Sequence, residues 1–348
     1  MGVTRDALPT SNTHRQVAAI STIVAASGGR SGFDRRRIPA SAAESWWSAA
    51  DGHRLRRIDL PAAMHGHRGS LLFLPGRGDA YEKYLEALDD WHRRRWWVTA
   101  IDWRGQGGSG RFGNDPLTGH IDDFGQWVGD LAYFWERWQV SRPGPHIVVA
   151  HSMGGHLALR ALAERRIDPA ALVLVAPMLG LARRAPMSLL QGVAKAMGKL
   201  RDPRRPAWRW REQPDETGDD TPGMRMALLT HDGERYADEV WWRQQRPELE
   251  MGPGSWGWVE RACASMRALR RPGVLEGVTT PVLILGASND ALISYRAIER
   301  SAARLPFAEL VRFGVEARHE ILRESDPVRN RALSRIDEFL NRVVPTAR

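Results

Sequence analysis

A serine hydroxyl becomes a nucleophile when a base takes its proton and an acid orients that base. The chain has residues of all three types in one order. In HIVVAHSMGGHLALRAL, 146–162, an apolar run turns into a helix-like stretch across Ala150-His151-Ser152-Met153-Gly154. Small residues two before and two after a serine permit the sharp strand-to-helix turn that lifts Oγ above a sheet beside a helix N-terminus. The plainer reading of Ser152 is a helix cap. The residues C-terminal to the serine favour the chemical one, since an acid and a histidine come after it in the order Ser, acid, His of folds built around this turn. Asp290 lies just past the run PVLILG, and His319 lies 29 residues beyond it, after the next such run. Of eleven histidines only His231 and His319 lie beyond this turn, the elbow, and its helix. For Asp290 the alternatives are a turn-forming Asn-Asp pair and the rival acid Glu316.

Attack on a carbonyl also needs donors for the oxyanion. The N–H of Met153, directly after the serine, is one. The other is expected from Pro75-Gly76-Arg77-Gly78-Asp79, at the end of the run SLLFLP, and this points to the Arg77 amide. This loop has neither a GxGxxG nor a Walker pattern, so it does not read as a phosphate cradle. His65-Gly66-His67 reads as a solvated turn in preference to a metal site.

These residues need a sheet to hold them. Short apolar runs bounded by turn residues recur at 55–60, 70–75, 96–102, 146–150, 171–177, 281–286 and 308–313. Most lack polar alternation, as parallel strands buried on both faces do. Helices are expected at 80–94, 122–138, 153–165, 291–304 and 327–343, giving the β/α alternation of an α/β fold with a mostly parallel central sheet. The interval 180–270 breaks the alternation. It has no strand run but carries six tryptophans (Trp208, Trp210, Trp241, Trp242, Trp256 and Trp258) and reads as a mainly helical insertion. The expected organisation is a loosely ordered leader at 1–32, core at 33–179, a helical cap at 180–270 and core again at 271–348.

Composition agrees. With 348 residues, 43% hydrophobic and 26% charged, the chain can bury a full core, and disorder, collagen and coiled coil are excluded. The single cysteine, Cys263, excludes an intrachain disulfide and a thiolate zinc cluster, and reads as a buried small apolar residue. The net charge of +9 comes almost wholly from arginine, because only Lys83, Lys195 and Lys199 are lysines. Arg35 to Arg37 and Arg201 to Arg211 are local concentrations, but no nucleic-acid-binding signature accompanies them, and no nucleic-acid partner is expected. No run is long and apolar enough to span a bilayer. The segment 16–27 is too diluted by Gln, Ser and Thr for a signal core, and Asp6 breaks the myristoylation pattern. A cytoplasmic location is expected, with peripheral contact at the inner membrane left open.

LPGRGDAYEKY (74–84), IDWRGQGGSGR (101–111), VAHSMGGHLALR (149–160), GASNDALIS (286–294) and RHEILRESD (318–326) together resemble the serine hydrolases of the α/β-hydrolase fold, in particular the monoglyceride lipase and bacterial lysophospholipase group. The resemblance spans about residues 40–343. It implies Ser152 as nucleophile, Asp290 as acid, His319 as base, Arg77 and Met153 as oxyanion donors, and no metal or organic cofactor. Asp102, Arg104 and Gly105 match a motif that is mainly structural in the group. Ala150 departs from the usual glycine, and the insertion matches no motif. The expected substrate is a lysophospholipid or monoacylglycerol, with the cap meeting lipid through its Trp and Arg residues. The alternatives are a short-chain carboxylesterase, a transacylase, a peptidase and a catalytically silent binding scaffold. Oligomeric state is not legible.

Overall fold

The computed structural model describes residues 32–62, 66–182, 186–208 and 222–344. The expected leader falls almost wholly outside them, as do His65, Arg209, Trp210 and Arg211.

The apolar runs form the middle of an eight-stranded sheet. Its strands are β1 (Ala43–Ser48), β2 (Arg54–Leu60), β3 (Gly69–Leu74), β4 (Trp96–Ile101), β5 (His146–His151), β6 (Ala171–Val175), β7 (Val282–Ala287) and β8 (Ala308–Phe313). They lie in the order β1-β2-β4-β3-β5-β6-β7-β8. β2 is antiparallel to β1 and β4, and the remaining neighbours are parallel. Every residue of β3, β6 and β7 is buried, because helices cover both faces of a parallel sheet. β1 has no counterpart among the expected runs. As an edge strand it is almost entirely exposed, so burial imposes no apolar pattern on AESWWS.

The helices around the sheet are α1 (Leu85–Arg93), α2 (Phe124–Ser141), α3 (Ser152–Ala163), α4 (Met187–Leu200), α5 (Pro222–Leu229), α6 (Gly233–Gln245), α7 (Trp256–Leu269), α8 (Tyr295–Ala302) and α9 (Asp326–Val343). Asp123 caps α2 by accepting the Gly125 N–H at 2.8 Å. The helix expected at 80–94 is a 3-10 turn, Tyr81–Tyr84, running into α1. The one expected from 291 starts at Tyr295. The reason is local: Oδ1 of Asp290 accepts the N–H groups of Leu292 and Ile293, holding 290–293 as a turn.

Six indoles, Trp91, Trp96, Trp103, Trp127, Trp135 and Trp138, are almost completely buried. Each takes about 150–250 Å² out of water, worth at most roughly 4–6 kcal/mol at ~25 cal/mol per Å².

Between β6 and β7 the described residues form α4 to α7 and no strand. Here too most tryptophans pack inward. Trp242 and Trp258 are buried, Trp241 and Trp256 lie partly buried against the core, and Trp208 remains 38% exposed. The arginines at 35 and 36 are likewise committed, both to Asp238 of α6 at 2.5 and 2.7 Å. Cys263, on α7, is fully buried.

Candidate active site

The turn from β5 into α3 holds Ser152 at φ 50°, a left-handed conformation that costs a non-glycine residue roughly 1–3 kcal/mol. Its surroundings enforce it. The Met178 N–H donates to the Ser152 carbonyl at 2.9 Å. Gly154 passes so close beneath the end of β3 that a Cβ there would lie 2.3 Å from the Pro75 carbonyl oxygen and 2.6 Å from that of Leu74. The departure at Ala150 is accommodated, since that residue is fully buried between Leu74 of β3 and Leu174 of β6. The close backbone approaches fall on Gly154 and Gly155 instead.

The structure brings together the three side chains singled out in the sequence. Ser152 Oγ lies 2.9 Å from His319 Nε2, and His319 Nδ1 lies 2.7 Å from Asp290 Oδ2. The other oxygen of Asp290 accepts the Leu292 and Ile293 amides at 2.8 and 3.0 Å, so the carboxylate is fixed at both ends. Glu316 takes no part: it is exposed, accepts the Gly314 N–H at 2.9 Å and faces Arg331. His231 pairs with Glu324 at 3.0 Å.

Burial works against a charge on His319. The Asp290 carboxylate, by its charge and its hydrogen bond, with Glu320 and Asp79 adding to it, outweighs that and holds the imidazole above its usual 6.5. For Asp290 burial acts in the opposite sense, and His319 together with the two backbone donors keeps the carboxyl below 3.8. A second histidine, His151, packs against His319 with ring centroids 4.9 Å apart and the ring planes tilted by 55°. Burial, and after it the charge on His319, pushes His151 down to about 4. It therefore stays neutral.

The loop after β3 lies over Ser152, because a Cβ at Gly76 would sit 3.1 Å from that of Ser152. Its outer amides are engaged: Gly76 N–H donates to Asp79 Oδ2 at 3.0 Å and Gly78 N–H to Gln106 Oε1 at 2.7 Å. The Arg77 amide between them has no partner among the described residues. The Met153 amide is in the first turn of α3, where N–H groups have no intrahelical acceptor. Trp103 anchors the loop by donating to the Pro75 carbonyl at 2.8 Å.

Beneath the loop lies a buried ionic network that the sequence does not announce. Lys83 contacts Asp79 at 2.6 Å, Glu320 at 2.5 Å and Glu239 of α6 at 3.0 Å. Arg323 also pairs with Glu239 and Glu320. The network ties the loop after β3, the residue following His319 and the helices between β6 and β7 to one another. The available signal was Lys83, one of three lysines, four residues after Asp79. Asp102, Arg104 and Gly105 shape the loop after β4. Asp102 accepts Arg56 and the Gly108 N–H, Arg104 pairs with Asp130 and Asp51, and Gly105 takes φ 76°. Among the described residues no group of three or more His, Cys, Asp or Glu side chains is placed to hold a metal ion.

Chemically, the arrangement is a hydroxyl whose proton can pass to an imidazole held in one tautomer by a buried carboxylate, beside two free amides. Known proteins share the frame. The family profile described as serine aminopeptidase, S33, matches residues 65–326. Lysophospholipase L2 of Escherichia coli is 33% identical over 317 residues, covering 86% of this chain and 87% of that protein. The probable lysophospholipase L2 of Haemophilus influenzae is 26% identical over 295 residues, 79% of this chain and 84% of its own. A soluble variant of monoglyceride lipase from Saccharomyces cerevisiae, solved with a substrate analog, superposes with TM-score 0.68 at 19% identity, over 90% of this chain and 99% of that one. At that identity the likeness speaks for the fold alone. Sheet order, elbow and family profile agree: the chain belongs to the serine aminopeptidase S33 family of hydrolases and has the α/β-hydrolase fold.

Proposed function

We propose that this chain is a serine carboxylic-ester hydrolase acting on single-chain lipid esters, lysophospholipids or monoacylglycerols, with Ser152 as nucleophile, His319 as base and Asp290 as the acid that orients it. The observation that carries the reading is the unbroken path from Ser152 Oγ through His319 to buried Asp290. His319 takes the proton as Oγ attacks the ester carbonyl, and the amides of Arg77 and Met153 receive the oxyanion. The alcohol leaves with the proton returned by His319. Water, activated by the same imidazole, then releases the fatty acid and regenerates the serine. None of these steps needs a metal or an organic cofactor. The lipid class is supported by relatives named lysophospholipase L2 and by the monoglyceride lipase whose fold this chain shares.

The segment 180–270 acts as the cap over this site. Lipid contact falls on α4, where Leu189, Val193 and Leu200 are exposed on one face and the same helix carries exposed Lys195 and Lys199. Among the described residues no helix is long and apolar enough to cross a membrane. Exposed apolar side chains on a helix that also carries lysines suit contact at the surface of an anionic bilayer. A peptidase is the second reading, favoured by the family's description. Fatty-acid release from lysophosphatidylcholine and monoacylglycerol, alongside a peptide panel, separates the two. Ser152→Ala is expected to abolish lipid turnover, on the order of a 10⁶-fold loss. Cleavage of peptides but of neither lipid would overturn the ester reading.

A further inference from the structure

Among the described residues most arginines around the site are paired with carboxylates, and Arg77, like its neighbour Arg111, is not. Arg56, Arg104, Arg235 and Arg323 each bind at least two carboxylates. No carboxylate lies within ion-pair distance of Arg77 among the described residues. Its Nη2 donates to the Gly252 carbonyl at 2.8 Å, and its Nε is buried without an acceptor. The guanidinium lies 5.1 Å from the ring centroid of Trp258 and 5.5 Å from that of Trp208. Burial first, then the like charges of Arg225 and Arg111, depress its pKa to about 10, and Asp79 offsets this only in part. It remains a cation at neutral pH, with one carbonyl acceptor and two indole neighbours but no counter-anion within ion-pair distance among the described residues. Holding a guanidinium without a counter-anion is costly. A ligand that brings the anion relieves that cost.

Its place in the chain says what the anion belongs to. The backbone of the same residue supplies one of the two free amides beside Ser152, so the guanidinium is within one arginine side chain's reach of the position the oxyanion would take. In a lysophospholipid the phosphodiester sits on the same glycerol unit as the scissile ester. In a monoacylglycerol that position carries only hydroxyls.

We infer that the Arg77 guanidinium is the headgroup subsite of the active site, taking the phosphodiester of a lysophospholipid while the amide of the same residue receives the oxyanion. The inference rests on the ester-hydrolase reading above and narrows its substrate to the phosphate-bearing lipid. A guanidinium offers paired N–H donors to phosphate oxygens, and the indoles of Trp208 and Trp258 lie beside it. Trp208 and Trp258 are thereby positioning residues, holding the plane of the fork.

The test compares kcat/KM for lysophosphatidylcholine and for monoacylglycerol of the same acyl chain, with nitrophenyl butyrate as a neutral reference, in wild type, Arg77→Met and Arg77→Lys. Wild type is expected to favour the lysophospholipid. Arg77→Met should lower the ratio of lysophospholipid to monoacylglycerol turnover on the order of 10- to 100-fold, the loss of a charge-assisted contact, and Arg77→Lys should recover part of it. A merely structural role would lower all three substrates together and leave the ratio unmoved, which overturns the inference. In case the variants fold poorly, inhibition of wild-type nitrophenyl butyrate hydrolysis is a second reading. Glycerophosphocholine should compete and glycerol should not. Equal inhibition by inorganic phosphate overturns the headgroup assignment in favour of a free-anion site. The nitrophenyl ester keeps the two levels apart: loss of its turnover in Ser152→Ala upholds the acyl-enzyme reading even where the Arg77 ratio does not move. A wild type inert toward all three esters fails the ester-hydrolase reading itself.

Discussion

Replacing Asp290 by asparagine tests the path at its least accessible point. The side chain is fully buried, and its two oxygens have different partners. Oδ1 accepts two backbone N–H groups, from Leu292 and Ile293, and Oδ2 accepts from His319 Nδ1. An asparagine must keep its carbonyl oxygen toward the two amides, since turning it would set an NH2 group against two donors. The amide nitrogen then faces His319 Nδ1 as a donor. Nδ1 becomes an acceptor, the ring proton moves to Nε2, and Nε2 can no longer accept the Ser152 proton. Loss of the correct tautomer lowers turnover on the order of 10⁴-fold, about 5.4 kcal/mol at ~1.36 kcal/mol per factor of ten. Turnover of a nitrophenyl ester, with the folded state checked by circular dichroism, measures it. The pH profile moves too. Because the base must be neutral and its pKa in wild type is raised above 6.5, wild-type kcat/KM falls as pH drops through a value above 6.5. Asp290→Asn removes the strongest influence holding that pKa up, so residual activity persists to lower pH. Glu316→Gln, on the surface beside Arg331, should stay within about twofold of wild type. An Asp290→Asn enzyme within tenfold of wild type, or a Glu316→Gln enzyme more damaged than it, would refute the assignment.

The local geometry sets three further outcomes. At φ 50° position 152 suits glycine better than alanine; both variants should be inactive, with Ser152→Gly the more stable by roughly 0.5–1 kcal/mol in urea unfolding. Gly154→Ala forces a methyl against two backbone carbonyls at 2.3 and 2.6 Å. It should cost about 2–3 kcal/mol and lower turnover by displacing the loop after β3, whereas an unchanged melting midpoint would contradict the packing. Lys83→Met strips one cation from three buried carboxylates. A loss of about 3–5 kcal/mol is expected, read from the denaturant midpoint, and a loss below ~1 kcal/mol would show the carboxylates protonated or otherwise compensated.

Much of this site is legible in the linear chain because its parts obey local rules. A strand buried on both faces must be apolar throughout, so SLLFLP, HIVVA, ALVLVAP and PVLILG announce the sheet. A turn as tight as that at Ser152 admits only small flanking residues, so the elbow shows in a span of five positions, and loops at strand ends place Asp290 and His319 on one edge. What is written at long range is not legible this way. Asp290 and Glu316 are both acids in loops close to His319, and only the folded chain pairs one of them with the imidazole and turns the other to solvent. The same holds for charge. The excess of arginine says nothing about which guanidinium meets a carboxylate, since Lys83 and Glu320 are 237 residues apart and Arg77 and Gly252 are 175 apart. Edge strand β1 is silent because exposure imposes no pattern. Local backbone sterics and burial periodicity leave marks in neighbouring residues, whereas electrostatic pairing depends on distances that exist only once the helices between β6 and β7 have packed over the sheet.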